Sequence, residues 1–161
     1  MSTERAFRET LDSDPVFGPS WQAGLRCLVP ANSWIEAYCG LFSRSISWMF
    51  CRADGKPAML AGLYSEWTDP VSGETVPNYT IITQAADPHP IFSLTHRPGR
   101  EKKRVVMLEP CEWDAWLHGS TAQADSLIKL PAMDVLKSGA ENPDEDALLP
   151  LEQMRALKAG G

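Results

Sequence analysis

At 161 residues with 43% hydrophobic side chains, the chain is long enough to bury one core, and it holds no apolar run of membrane-spanning length. Its formal net charge of −6 argues against a general nucleic-acid-binding surface, but the imbalance is local: residues 1–110 carry 11 basic against 12 acidic side chains, and residues 111–161 carry 4 against 9. Met1-Ser2-Thr3-Glu4-Arg5 leads into no apolar signal region, and Cys27, Cys39, Cys51 and Cys111 form no C-x-x-C pair, so the expectation is a cytoplasmic protein with reduced, mostly buried thiols and neither metal nor cofactor.

Residues 1–24 are rich in turn formers, with a short helix expected around Glu4–Leu11. From Arg26 the pattern becomes that of strands. Cys27-Leu28-Val29-Pro30 is a short apolar run; Trp34, Glu36 and Tyr38 alternate with Ile35, Ala37 and Cys39; Ile46, Trp48 and Phe50 alternate with Ser47, Met49 and Cys51. Asp54-Gly55 predicts a turn, Ala58–Tyr64 a buried strand, Asp69-Pro70 and Ser72-Gly73 a loop, and Tyr79–Thr83 and Arg104–Leu108 two further strands. Pro110 opens a helical stretch in which Trp113, Trp116 and Leu117 fall on one apolar stripe. A last helix is expected around Leu148–Lys158, after the acidic loop Glu141–Asp146. The six tryptophans are assigned mainly to the core. The whole is an α+β fold, mainly antiparallel, forming a single domain over 1–161 with an acidic C-terminal segment from about 139.

Two residues are candidates for chemistry. Strand alternation puts Glu36 on one face with Trp34 and Tyr38, where desolvation by aromatics suits a carboxylate to proton transfer; the competing reading is an exposed strand carboxylate. His96 stands at the head of a basic cluster in which five of the eight residues 97–104 are Lys or Arg. That cluster, with Arg97, Arg100, Lys102 and Lys103, reads either as a phosphate-binding loop or as a solvated charged loop. Arg26 and Arg52 flank strands and are either phosphate contacts or rim residues. No phosphate loop, dinucleotide fingerprint or nucleophile elbow is present.

Several stretches taken in series resemble the SOS response-associated peptidase family: Arg26-Cys27-Leu28-Val29-Pro30-Ala31 with Trp34-Ile35-Glu36; Arg52-Ala53-Asp54-Gly55-Lys56-Pro57 leading to Ala61-Gly62-Leu63-Tyr64; Thr80-Ile81-Ile82-Thr83; and Leu108-Glu109-Pro110 with Trp113 and Trp116-Leu117. The resemblance runs from about residue 4 to 118 and implies a barrel-like sheet with peripheral helices. It also implies recognition of abasic sites in single-stranded DNA during the damage response, with Glu36 and His96 as catalytic residues; Arg26, Trp34, Arg97, Arg100, Lys102 and Lys103 are the expected DNA contacts. In that family an N-terminal cysteine captures the sugar aldehyde through a Schiff base and a thiazolidine. Here position 2 is Ser2, Arg5 stands where the assisting Asn is found, and Phe7 stands in place of a DNA-contacting Arg, so the thiol that cross-linking and autoproteolysis require is missing at that position. Read against the family the chain is N-terminally shortened, which implies a sheet edge covered by a second copy or a protein partner. The alternative function is that of a catalytically inactive paralogue serving as a protein-interaction module.

Overall fold

The computed structural model describes residues 5–38, 45–86, 103–142 and 144. They belong to two compact units, each with its own sheet, and the pairing is antiparallel throughout except for one short parallel contact. The α+β class expected from the sequence is therefore present, with helices peripheral to the sheets; among the described residues neither sheet closes into a barrel.

The first unit is built on β2 (Arg26–Ala31), β5 (Ala58–Thr68) and β6 (Thr75–Ala85), with the short strands β1 (Ala6–Phe7), β7 (Lys103–Val105) and β8 (Met107–Leu108). β2 pairs antiparallel with β5 from Arg26↔Leu63 to Ala31↔Ala58. Pro30 fits inside β2 because, among the described residues, that strand lies at the edge of its sheet, where a missing N–H costs no ladder bond. β5 and β6 run antiparallel from Gly62↔Ile81 to Thr68↔Thr75. Gly62 is required by close approach: a Cβ there would stand 2.8 Å from Cys27 Sγ and 2.9 Å from the Thr80 carbonyl oxygen.

Two sequence expectations are corrected here. The helix around Glu4–Leu11 is replaced by β1, which pairs in parallel with Ile82 and Thr83, followed by a 3-10 helix over Arg8–Ser13. Thr83 Oγ1 donates to the Ala6 carbonyl at 3.2 Å, a tertiary bond that overrides local helical preference. The single strand Arg104–Leu108 is two: β7 pairs with β6 and β8 with β5. Val106 makes the switch between them, donating to Ile82 and accepting from Ala61, so the segment fills the gap where β5 and β6 part.

The core of this unit contains Ala6, Leu11, Trp21, Ala61, Leu63, Ile82, Val106, Leu108, Trp116 and Ala124. It is closed by α1 (Gly18–Gln22), α2 (Trp113–His118) and α3 (Thr121–Ser126). The Trp113–Trp116–Leu117 stripe faces this core, with Trp116 fully buried and the other two packed against it. α2 follows a 3-10 turn over Pro110–Glu112 that a Glu109/Glu112 capping box fixes. α3 opens on a second capping box, Ser120 with Gln123.

The second unit is the three-stranded antiparallel sheet β3 (Trp34–Tyr38), β4 (Ile46–Arg52) and β9 (Leu136–Ala140), in the order β3-β4-β9. Both alternating stretches read from the sequence are strands, with Glu36, Tyr38, Ile46, Trp48 and Phe50 on the buried side. The helix expected at 148–158 lies outside the described residues. Of the six tryptophans, Trp21, Trp48 and Trp116 are buried, whereas Trp67 is exposed. The thiols depart from expectation: Cys27 and Cys51 are half-buried and Cys111 is exposed, while Cys39 lies outside the described residues.

Candidate functional site

The register of β3 on β4 assembles an aromatic enclosure around one carboxylate. Glu36 stands directly opposite Trp48, Trp34 opposite Phe50, and Tyr38 opposite Ile46. Side chains two apart on a strand share a face, so all six fall on the same side of the ribbon. Trp34 and Phe50 stack with ring centroids 5.8 Å apart and 13° between planes; Tyr38 and Trp48 stack at 4.5 Å and 23°. Glu36 is only 3% exposed between these two stacks, so it is a buried carboxylate and not one on a solvated strand face. Trp34 is half-buried, leaving part of its indole at the surface. The Trp48 indole N–H is buried and has no hydrogen-bond acceptor among the described residues, and its strand position is opposite that of Glu36. Trp48 and Phe50 read in the sequence only as strand residues; their alternation opposite Trp34 and Tyr38 is the signal that they wall the site.

The other residues singled out from the sequence are placed differently. His96, Arg97, Arg100 and Lys102 lie outside the described residues. Lys103, in β7, holds its ammonium 3.9 Å from the centroid of the Phe7 ring. Arg26 is buried: its Nε donates to the Trp116 carbonyl at 2.5 Å, Nη2 donates to the Gly119 carbonyl, and the guanidinium lies about equally far from the Trp21 and Trp116 rings, 6.0 and 5.9 Å from their centroids. These bonds tie β2 to the end of α2, and burial pushes the guanidinium's pKa down. That is the position of a core tie between β2 and α2. Sequence reasoning missed this because an Arg beginning a strand reads as a rim residue.

Arg52 grips Asp54 with two bonds, Nε to Oδ1 at 3.0 Å and Nη2 to Oδ2 at 2.9 Å, and Lys56 N donates to the same carboxylate. The turn after β4 is thereby pinned, with Gly55 at φ 75°. The hydrogen bonds from Arg52 and Lys56 pull the Asp54 carboxyl down to about 2. A depressed carboxylate contributes its stabilisation above the unfolded pKa of about 4 and loses it as pH falls toward 2. A carbon-detected NMR titration of Asp54 is expected to show a midpoint near 2, rising toward the ordinary carboxylate range in Arg52→Ala while the Lys56 bond still holds it below that range. A midpoint near 4 in the unaltered protein would contradict the bidentate pairing.

Among the described residues, no three His, Cys, Asp or Glu side chains gather as a metal site, and no helix is long and apolar enough to cross a membrane. Burial raises the Cys27 thiol, which keeps it protonated and unsuited to nucleophilic attack at neutral pH.

Comparison with known proteins shows the family. The family described as SOS response associated peptidase matches residues 1–139. A crystal structure of a Bordetella bronchiseptica protein is similar to this chain with a TM-score of 0.82 and 28% identity, covering 88% of this chain and 66% of the other. A Bacteroides thetaiotaomicron protein follows at TM-score 0.75 and 22% identity, covering 87% and 59%. A phage-related Bordetella bronchiseptica protein superposes at TM-score 0.60 with 21% identity, covering 84% and 62%. The chain thus spans less than two thirds of the length of the solved structures it matches. No curated protein gives a significant match.

Proposed function

The chain belongs to the SOS response-associated peptidase family, and from that premise we propose that it recognises abasic sites in single-stranded DNA during the response to DNA damage. The observation that carries this reading is the buried Glu36 between the Trp34–Phe50 and Tyr38–Trp48 stacks. An abasic nucleotide offers a sugar with no base, and its ring-opened aldehyde takes up or gives up protons as it reacts. A buried carboxylate is a group that can hand a proton to such a sugar or take one from it, and the half-buried Trp34 is a platform on which a neighbouring base stacks. The basic run Arg97, Arg100, Lys102 and Lys103 is assigned the phosphates, with His96 as the second catalytic residue; Arg26 is left out because it is committed to the core.

Recognition of the abasic site is what we propose. The reading is tested by titrating a labelled single-stranded oligonucleotide at several salt concentrations. Three or four phosphate contacts from the basic run predict a log–log slope of about −2 to −3 for a single strand. A flat dependence, or no binding at low salt, would favour the alternative of an interaction module.

A further inference from the structure

Beyond Gly62↔Ile81, β5 and β6 continue together as a two-stranded arm that ends at Thr68↔Thr75. No other strand pairs with residues 64–80 among the described residues. Two-stranded ribbons are marginal alone, yet this one is braced. Ser65 Oγ donates to Asn78 Oδ1 at 2.6 Å across the strands. At the tip, Asp69 accepts from Val71 N and Ser72 Oγ, both at 2.9 Å, and Gly73 takes the positive φ of 72° that the turn needs. On one face of the arm Tyr64 stands directly opposite Tyr79, with Glu66 two residues along the same face. The rings are 42% and 65% exposed, a pair of large aromatics left in water on a rigid arm.

The charge that the two strands and their turn carry is of one sign. Between Pro57 and Ala86 there are three carboxylates, Glu66, Asp69 and Glu74, and no Lys or Arg. A phosphate backbone is repelled by such an arm, so its aromatics are poorly placed to stack nucleic-acid bases. A guanidinium, by contrast, is flat, stacks on phenol rings and bonds to a carboxylate. We propose that the Tyr64–Tyr79 face docks an arginine-rich segment of a partner protein, with guanidinium planes on the two rings and Glu66 as their carboxylate partner. The site belongs to the first unit and Glu36 to the second, and the proposal does not depend on the DNA reading.

The test uses the full 161-residue chain and a fluorescein-labelled peptide carrying several Arg on a Gly/Ser background, with a Lys-for-Arg version beside it. Anisotropy titrations are expected to give at least about threefold tighter binding of the Arg peptide, since an ammonium lacks the stacking plane. The double variant Tyr64→Ser/Tyr79→Ser is expected to weaken the Arg peptide about tenfold while leaving the Lys peptide nearly unchanged. Glu66→Gln, which keeps both rings, is expected to weaken the Arg peptide severalfold and guards against a folding defect in the double variant. Equal binding of the two peptides would overturn the proposal, as would an Arg affinity indifferent to Glu66→Gln. A double variant that melts like the parent but loses oligonucleotide binding instead of peptide binding would also overturn it, by assigning the rings to nucleic acid.

Discussion

Replacing Trp116 by alanine is expected to destabilise the protein by about 3–5 kcal/mol, the range for truncating a fully buried aromatic. Trp116 is 0% exposed, packs against Trp21 with ring centroids 6.2 Å apart, and donates its indole N–H to the Cys27 carbonyl at 3.0 Å. Truncation therefore opens a large cavity in the first unit and strands a backbone acceptor on β2. For a chain of this size the loss corresponds to a fall in melting temperature of about 10 °C. Differential scanning calorimetry reads it directly. A fall of only a degree or two would mean that α2 is not part of the core.

Arg26 is expected to behave as a core residue and not as a DNA contact. Arg26→Met keeps much of the apolar stem but leaves the Trp116 and Gly119 carbonyls without their donor, costing about 2–4 kcal/mol. Arg26→Lys is expected to lose most of the same stability, because one ammonium cannot lie between two indole rings and bond two carbonyls with fixed geometry. The oligonucleotide salt slope of the folded Arg26→Met protein is expected to equal that of the parent. A slope shallower by about one, with stability unchanged, is the signature of a lost phosphate contact and would return Arg26 to the DNA interface.

How far the sequence could be read follows from which forces are local. The β3 and β4 strands were legible because one buried face imposes period-2 alternation from Trp34 to Tyr38 and from Ile46 to Cys51. The same alternation brought Glu36 together with Trp34 and Tyr38. β5 and β6 are longer than expected because their outer halves, Ser65–Thr68 and Thr75–Asn78, are largely polar and mostly exposed and include Pro77; pairing with each other holds them extended. β9 was missed for a like reason: Leu136-Lys137-Ser138-Gly139-Ala140 has little strand propensity and is fixed by its partner β4. α3 did carry a local signal, the Ser120–Gln123 box, but too few apolar residues follow it to mark a helix by periodicity. The burial of Arg26 and the switch at Val106 are tertiary facts with no local signature. The placement of His96 and of most of the basic run lies outside the described residues, so the Glu36 half of the candidate site is the half that has a structural account.

The central claim is that the Glu36 enclosure recognises the abasic nucleotide itself. It is tested most directly by comparing the affinity of one single-stranded oligonucleotide with and without a central abasic site, for the parent protein and for Glu36→Gln, without reductant. The account predicts that the parent binds the abasic strand at least about fivefold tighter, a difference of about 1 kcal/mol. It predicts that Glu36→Gln removes this preference while keeping the affinity for the intact strand. Equal affinity of the parent for the two strands, or a preference that survives Glu36→Gln, would contradict it.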